Sequence, residues 1–318
     1  MTAHTALAPT QRKVRSGRPE VSPTRRKTQR RETYFGYLMI GLAVIVVALF
    51  TAGPILASVG LSFFSWDVIT PPKFVGVDNY TRLATDSTVI FSFGVTLVLG
   101  VAIVLLQIVV GLSLAVLVQQ RRRKSARTFF RTIFYLPLLA SAASVSIFMG
   151  YLFDQKFGVV NYYLGLLGIP NIPWLNSNLG ATITIILVAA WQQTGFTFVL
   201  FVAALSSLPK EILEAAAIDG AGPIRTLWRI KLPLISPTVF FASVIGMINA
   251  MQLFDQPYIM TKGGPGNATT TTVMLIYQTA FQNLQFGYGS AISVALLVVL
   301  IILTAIQFLG ARKLVFYQ

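Results

Sequence analysis

The sequence predicts an all-α integral membrane protein with six transmembrane helices. Of its 318 residues, 55% are hydrophobic and only 11% are charged, whereas a soluble domain carries roughly 25% charged residues. The apolar residues lie in long uncharged runs, and a helix of about 20 such residues is long enough to cross the hydrocarbon core of a bilayer. Composition and run length together exclude an ordinary water-soluble fold.

Six segments meet this length criterion, and charged or breaker-rich stretches separate them. The predicted spans are 34–64, 88–120, 132–153, 181–208, 232–258 and 289–311. They form one membrane domain, 34–318, and the basic tail before it, 1–33, is rich enough in Pro, Ser and Thr to predict disorder. An even number of spans places both termini on the same side of the membrane.

The basic residues predict which side that is. Of the 25 Lys and Arg residues, 21 lie in the tail, in the loops after the second and fourth spans, and at the C-terminus. Only Lys73, Arg82, Lys156 and Lys262 are left for the opposite side. Since cytoplasmic loops are enriched in Lys and Arg, both termini are predicted to be cytoplasmic. The net charge of +15 then follows from topology and does not indicate nucleic-acid binding.

Several kinds of chemistry are excluded by residues that the chain lacks. It has no cysteine, and its one histidine, His4, stands in the basic tail. Thiol catalysis, a histidine-based triad and the usual zinc or haem sites therefore have no candidate residues. The phosphate-loop pattern G-x-x-x-x-G-K-[ST] is also absent, so no nucleotide site is predicted. We expect no catalytic residue, no metal and no cofactor in this chain, and hence no enzyme.

The cytoplasmic loop 209–237 predicts two short helices joined by a tight turn. Pro209 precedes the first helix, Gly220 stands where a helix stop is expected, and Pro223 suits the first position of the second helix. The second helix carries Ile224, Leu227, Trp228 and Ile230 on one face. From spacing alone, an amphipathic loop that lies on the membrane surface is an equal alternative.

Residues of this loop resemble the EAA signature of binding-protein-dependent ABC importer permeases. The matching positions are Glu214-Ala215-Ala216, Asp219-Gly220-Ala221, Ile230, Leu232-Pro233 and Pro237. The resemblance implies the type I ABC importer permease fold and a helix pair that docks into a groove of an ATPase subunit. It assigns this coupling role to Glu214, Ala215, Ala216, Asp219, Gly220, Ala221 and Pro223.

A second stretch, FDQPYIMTKGGPGNATT (254–270), resembles the T-x-GGP segment of the sugar-type members, the group of the maltose and glycerol-3-phosphate permeases. The resemblance implies a carbohydrate importer subunit in the bacterial inner membrane. Its implied partners are a second six-span permease, an ATPase dimer that binds ATP and Mg, and an extracytoplasmic substrate-binding protein. A glycerol-3-phosphate or other polar-solute permease is the nearest alternative.

Polar side chains inside the spans are the candidates for a substrate path, because such residues usually face the interior of a helix bundle. Their amide, hydroxyl and aromatic groups suit a neutral polyhydroxyl ligand. An equal alternative for any single residue is that it only joins helices. The candidates are Trp191, Gln192, Gln193, Phe196, Asn249, Gln252 and Ser141.

The resemblance aligns Gln192, Gln193 and Phe196 with sugar contacts of the maltose-type permease. Other aligned contact positions are apolar here, namely Leu138, Ala142, Ala250 and Leu253. This departure suggests a different sugar or a weaker site.

An ion-coupled secondary transporter is the main rival of another mechanistic class. Proton coupling normally places acidic side chains at mid-membrane. The only acid within the predicted spans is Asp255, near the external end of the fifth, so this function is disfavoured.

Overall fold

The computed structural model describes residues 23–119 and 124–315, and these are almost entirely helical. The chain divides into two units, 1–57 and 58–318. Of the basic segments used to orient the chain, Arg121, Arg122 and Arg123 lie outside the described residues, as does the tail up to residue 22.

The first unit contains helix α1 (Pro23–Val47), a π-helical turn (Ala48–Ala52) and the start of α2 (Gly53–Leu61). The prediction of a disordered tail up to residue 33 is therefore wrong from Pro23 onward. Arg, Lys, Gln and Glu are good helix formers, and extending a helix that an apolar run has nucleated costs little. The π-helical turn precedes Pro54, which lacks an N–H group and crowds the carbonyl one turn before it.

Three long, unbroken helices belong to the second unit. They are α4 (Ser87–Gln119), α8 (Asn178–Ser206) and α14 (Phe286–Leu314). Helix α8 lies at the centre, and Ile185, Phe198 and Phe201 on it are fully buried. Because lipid tails are as apolar as these side chains, close packing and not the removal of water stabilises such a core.

Two further predicted spans are bent helix pairs. Helix α5 (Lys124–Leu139) meets α6 (Ala142–Leu152) at an angle of 98°. The single straight span predicted over 132–153 is thus broken at Ala140 and Ser141. Pro137 lies inside α5, two residues before the helix ends at Leu139. With the four straight spans, the two bent pairs give up to six candidate spans.

The other bent pair joins the cytoplasmic loop to the fifth span. The helical segment Pro223–Leu234 meets α12 (Ser236–Met251) at 69°. The fifth span was predicted to begin at residue 232 and to continue to 258. Its membrane helix instead begins after the bend at Ile235 and ends at Met251, and a π-helical turn (Pro257–Thr261) follows. The prolines at 233 and 237, on either side of the bend, are its local cause.

Short elements connect the spans. On the side predicted to be external, the antiparallel strands β1 (Phe64–Ser65) and β2 (Lys73–Phe74) pair Phe64 with Phe74. The short helices on that side are α3 (Asp78–Thr85), α7 (Val159–Leu166) and α13 (Thr272–Tyr277), the last continuing into a π-helical turn (Gln278–Gln282). The loop 209–237 contains α9 (Lys210–Ile218), α10 (Pro223–Thr226), a π-helical turn (Leu227–Lys231) and α11 (Leu232–Leu234).

Candidate functional site

Gln192, near the middle of α8, joins three parts of the fold. The side chain is only 7% exposed. Its Nε2 donates to the carbonyl oxygen of Ala140, in the bend between α5 and α6, at 3.2 Å. Its Oε1 accepts a hydrogen bond from Gln256 Nε2 at 2.9 Å. The bend between α5 and α6 leaves the Ala140 carbonyl without its helical partner, and Gln192 supplies the replacement.

Gln193, the next residue, has a different environment. Its side-chain oxygen is buried and has no hydrogen-bond partner among the described residues. Leaving a buried acceptor unpaired costs about 1–3 kcal/mol, so native structures usually provide a partner. The Gln193 oxygen can therefore accept a hydrogen bond from a water molecule or from a ligand hydroxyl group. Phe196, one turn further along α8, is half-buried.

Trp191 does not belong with these two amides, although it precedes them in sequence. It lines a separate apolar cavity of about 410 Å³ between α4, α5 and α8, together with Leu106, Pro137 and Thr194. Successive residues of a helix point about 100° apart, and this rotation separates Trp191 from Gln192. Trp191 therefore lines this cavity, whereas neither Gln192 nor Gln193 does.

The remaining predicted path residues are exposed. Ser141 lies in the bend beside Ala140, and Asn249 and Gln252 lie at the end of α12. Neither Asn249 nor Gln252 hydrogen-bonds to Gln192 or Gln193 in the described part of the chain. Of the apolar positions that align with sugar contacts, Ala250 and Leu253 are buried in the core, so they cannot reach a ligand in this conformation.

Two buried amides were missed by the sequence analysis. Gln256 lies beyond the end of α12, where helical spacing from Gln252 no longer applies, so only the folded chain brings it to Gln192. Gln107 on α4 is 1% exposed, and its Nε2 has no partner among the described residues. A glutamine inside an uncharged 33-residue run is itself a usable signal, because intramembrane polar groups are costly.

The loop that contains the T-x-GGP segment is anchored by threonines. Thr271 Oγ1 donates to the carbonyl oxygen of Leu253 at 2.8 Å. The backbone N–H of Thr272 donates to Thr96 Oγ1 of α4, also at 2.8 Å. Thr269 Oγ1 contacts Thr261 Oγ1 at 2.7 Å within the loop. These bonds attach the segment to Leu253, just after the end of α12, and to Thr96 within α4.

The loop 209–237 has the local structure that its sequence predicts. Pro209 precedes α9, the helix ends at Ile218, and Gly220 follows with a left-handed φ of +69°. The N–H of Ala221 donates to the carbonyl of Ala216 at 2.9 Å, and the N–H of Gly220 donates to that of Ala217 at 3.1 Å. This pair of bonds is a Schellman motif, which satisfies the last carbonyls of a helix.

The second helix of this loop begins at Pro223, as predicted. Its apolar residues do not all share one environment: Leu227 and Ile230 are half-buried, but Ile224 and Trp228 are 74% and 67% exposed. Ile218, at the end of α9, is 87% exposed. Large apolar side chains that are this exposed in a loop outside the spans are typical of a protein-interaction surface.

Some of the predicted coupling residues are exposed on this surface, and others are buried or half-buried beneath it. Ala216 is buried, so it stabilises the loop and does not face a partner, and Ala221 is half-buried. The exposed members are Glu214, Ala215, Asp219, Gly220 and Pro223.

Comparisons with known proteins agree with this architecture. The family model described as "Binding-protein-dependent transport system inner membrane component" matches residues 107–315. The multiple sugar-binding transport system permease protein MsmF of Streptococcus mutans is 32% identical over 281 residues, which is 88% of this chain and 96% of that protein. The sn-glycerol-3-phosphate transport system permease protein UgpA of Agrobacterium fabrum is 33% identical over 283 residues, again 88% of this chain and 96% of that one.

A solved structure has the same fold. It is the crystal structure of a bacterial ABC transporter involved in the import of the acidic polysaccharide alginate. The superposition has a TM-score of 0.78 and covers 91% of this chain and 99% of that chain, at 23% sequence identity.

Proposed function

The chain belongs to the family of binding-protein-dependent transport system inner membrane components, and we propose that the solute it carries is a neutral, hydroxyl-rich sugar. As a member of this family it is a multi-pass permease subunit of an ABC transporter, not an enzyme. The observation that carries the proposal for a sugar is the amide cluster, the hydrogen-bonded pair of Gln192 and Gln256, together with the unpaired acceptor of Gln193, the residue after Gln192. These groups offer donors and an acceptor with no net charge.

Glycerol-3-phosphate is the second candidate, because several relatives are permeases named for that solute. A phosphate group favours Arg or Lys as partner. Within the described part of the chain, the amide cluster includes no basic side chain. A basic residue from a second permease subunit could supply the charge, so the two solutes are best separated by experiment.

The proposed partners are a second permease subunit, two ATPase subunits and an extracytoplasmic binding protein. The exposed Ile218, Ile224 and Trp228 support docking of an ATPase on the loop 209–237. ATP and Mg would be held by that ATPase, because this sequence contains no phosphate loop. The excess of Lys and Arg in the loops and tail supports cytoplasmic N- and C-termini.

Reconstitution tests the proposed function. The four kinds of subunit in proteoliposomes should take up a labelled neutral sugar such as maltotriose in the presence of ATP, and a protonophore should leave uptake unchanged. Glycerol-3-phosphate should compete weakly. The isolated chain should hydrolyse no ATP.

Three results would contradict these assignments. Selective uptake of glycerol-3-phosphate would favour the second candidate. Uptake that requires an ion gradient would indicate a secondary transporter. Robust hydrolysis by the isolated chain would contradict the assignment of a permease without a nucleotide site.

Replacing the two neighbouring glutamines by alanine should give different results. Gln193→Ala removes an unpaired acceptor, so we expect normal stability and uptake that is lower by a factor of roughly 2 to 13, the value of one hydrogen bond of about 0.5–1.5 kcal/mol. Gln192→Ala also leaves Gln256 and the Ala140 carbonyl unpaired, which should lower the free energy of unfolding by about 1–3 kcal/mol.

Uptake kinetics and thermal unfolding of the purified transporter measure the two effects. Gln282→Ala, at an exposed position in the connection before α14, is the matched control and should change neither. Unchanged uptake by Gln193→Ala would show that this amide does not contact the solute.

A further inference from the structure

A polar cavity of about 420 Å³ opens beside α6, on the side of the membrane predicted to be external. It is formed by α6, the turn that follows α6, the segment before α8 and the π-helical turn after α12. Its polar lining residues are Ser146, Tyr151, Asp154, Gln155, Asn176 and Thr261. Neither the amides on α8 nor the loop 209–237 lines this cavity.

Asp154 is held in place with one carboxylate oxygen unused. Its Oδ1 accepts hydrogen bonds from the backbone N–H groups of Phe157 and Lys156, both at 2.8 Å. These two bonds also hold the pKa of the Asp154 carboxyl below its usual range. The second oxygen makes no hydrogen bond within the described residues and is available to accept one from a ligand hydroxyl.

Gln155 and Asn176 form a second pair of fixed polar groups. Asn176 Nδ2 donates to Gln155 Oε1 at 2.9 Å, which leaves the Gln155 amide as a donor and the Asn176 carbonyl as an acceptor. The backbone is fixed as well, because the Gln155 carbonyl accepts from buried Asn161 at 3.1 Å, and Asn161 Oδ1 accepts from Trp174 Nε1 at 2.9 Å. Ordering these groups for a ligand therefore costs little.

An aromatic ring completes the set. Tyr151 lines the cavity, and its side chain is 75% exposed. A carboxylate oxygen, an amide donor and an amide acceptor suit several hydroxyl groups at once, and a ring face suits the apolar C–H face of a sugar. A cavity with a few convergent polar groups is the usual form of a small-molecule site.

We propose that this cavity is an outer subsite for a neutral oligosaccharide, occupied before the solute reaches the amides on α8. The proposal rests on the proposed function and adds a second binding site to it. Ala140, which Gln192 contacts, and Asp154 lie at opposite ends of α6 (Ala142–Leu152). Eleven helical residues span about 16 Å. The two sites are therefore separate and lie at opposite ends of one helix.

The charges disfavour other ligands. The Asp154 carboxylate would repel the phosphate of glycerol-3-phosphate. Lys156 lies close enough to lower the pKa of Asp154, and its positive charge opposes a cationic ligand such as a polyamine. The described residues contain no group of three or more His, Asp or Glu side chains that could hold a metal ion.

Thiol protection tests the proposal, since the chain contains no cysteine. Gly150 lines the cavity, and a Cβ added there meets no atom within 4 Å, so Gly150→Cys should fold normally. In the reconstituted transporter without ATP, millimolar maltotriose should slow maleimide labelling of this thiol several-fold. Gly165→Cys on α7, which also has free space and does not line the cavity, is the matched control and should show no protection.

Two further substitutions connect protection to the named groups. In the Gly150→Cys background, Tyr151→Ala and Asp154→Asn should each abolish most of the protection. The asparagine can still accept the bonds that hold the turn, so its effect reports the ligand and not the fold. Asp67→Asn is the matched control, because Asp67 Oδ1 accepts similar turn bonds from Ile69 and Thr70 and lies outside the cavity; this variant should keep full protection.

The outcomes separate this inference from the proposed function. If the wild-type transporter takes up a sugar, but neither that sugar nor maltotriose protects the Gly150→Cys thiol, the outer subsite is wrong and the sugar permease stands. Protection by spermidine or glycerol-3-phosphate and not by a neutral sugar would also overturn the subsite. If the transporter takes up no sugar, the proposed function itself fails.

Discussion

Gly220→Val should uncouple ATP hydrolysis from transport while leaving the spans folded. Gly220 has a φ of +69°, and a Cβ added there meets no atom within 4 Å. The penalty therefore comes from the backbone alone, and for a residue with a Cβ it is about 1–2 kcal/mol, with valine at the upper end because it is β-branched. That cost favours another turn after α9 and displaces Ile218, Ile224 and Trp228 from one another.

Gly220→Asn is the matched control, because asparagine adopts the left-handed conformation more readily than other residues with a Cβ. We expect Gly220→Asn to retain most of the ATPase stimulation by loaded binding protein. In Gly220→Val, the ATPase stimulation should be lower by roughly a factor of 10, which is equivalent to about 1.4 kcal/mol in the docking equilibrium.

Co-purification of the ATPase and sugar-stimulated hydrolysis in proteoliposomes are the measurements. If Gly220→Val shows wild-type co-purification and wild-type stimulated hydrolysis, the loop is a passive connector. Equal losses in the valine and asparagine variants would mean that the side chain at this position, and not the backbone, obstructs docking.

Gly287→Ala should strongly destabilise the second unit. Gly287 lies in the first turn of α14, directly against strand β1, and an added Cβ would overlap the carbonyl oxygen of Phe64. The neighbouring backbone is also fixed, since the N–H of Phe286 donates to the carbonyl oxygen of Trp66 at 2.9 Å. Neither backbone segment can move away easily, so we expect a loss of about 3 kcal/mol in the free energy of unfolding, at the upper end of overpacking effects.

Gly310→Ala, in the same helix, is the control for this prediction. A Cβ at Gly310 meets no atom within 4 Å, and alanine is a better helix former than glycine by about 1 kcal/mol. Thermal unfolding of the purified transporter should therefore show a lower midpoint for Gly287→Ala and an unchanged or higher one for Gly310→Ala. If Gly287→Ala unfolds at the wild-type temperature, α14 does not pack on β1 as described.

The cytoplasmic loop illustrates how far local sequence signals reach. Pro209 and Pro223 restrict their own backbone, and Gly220 adopts a left-handed conformation that is costly for other residues. The helix start, the helix stop and the next helix start therefore follow from single residues. The structure contains all three features where the sequence predicts them. The exposure of Ile224 and Trp228 could not be predicted in this way, because it depends on which side of the helix the spans cover.

The amide cluster, in contrast, could not be predicted from local sequence signals. Gln192 and Gln256 are 64 positions apart, and the bend at Ile235 and the end of α12 lie between them. No periodic pattern connects them. Trp191 is the converse case, since it is adjacent to Gln192 in sequence but faces a different cavity.

The sequence by itself determined that this is a helical membrane protein, where most of its apolar spans lie, and the local form of the loop 209–237. Those features depend on the cost of burying charge in lipid and on backbone restrictions, which act over one segment at a time. The tertiary structure alone decided the bend at Ala140, the meeting of Gln192 with Gln256, and the polar cavity beside Asp154. These features arise from packing between segments distant in sequence, where the carbonyl freed by one bend is satisfied by an amide from another helix.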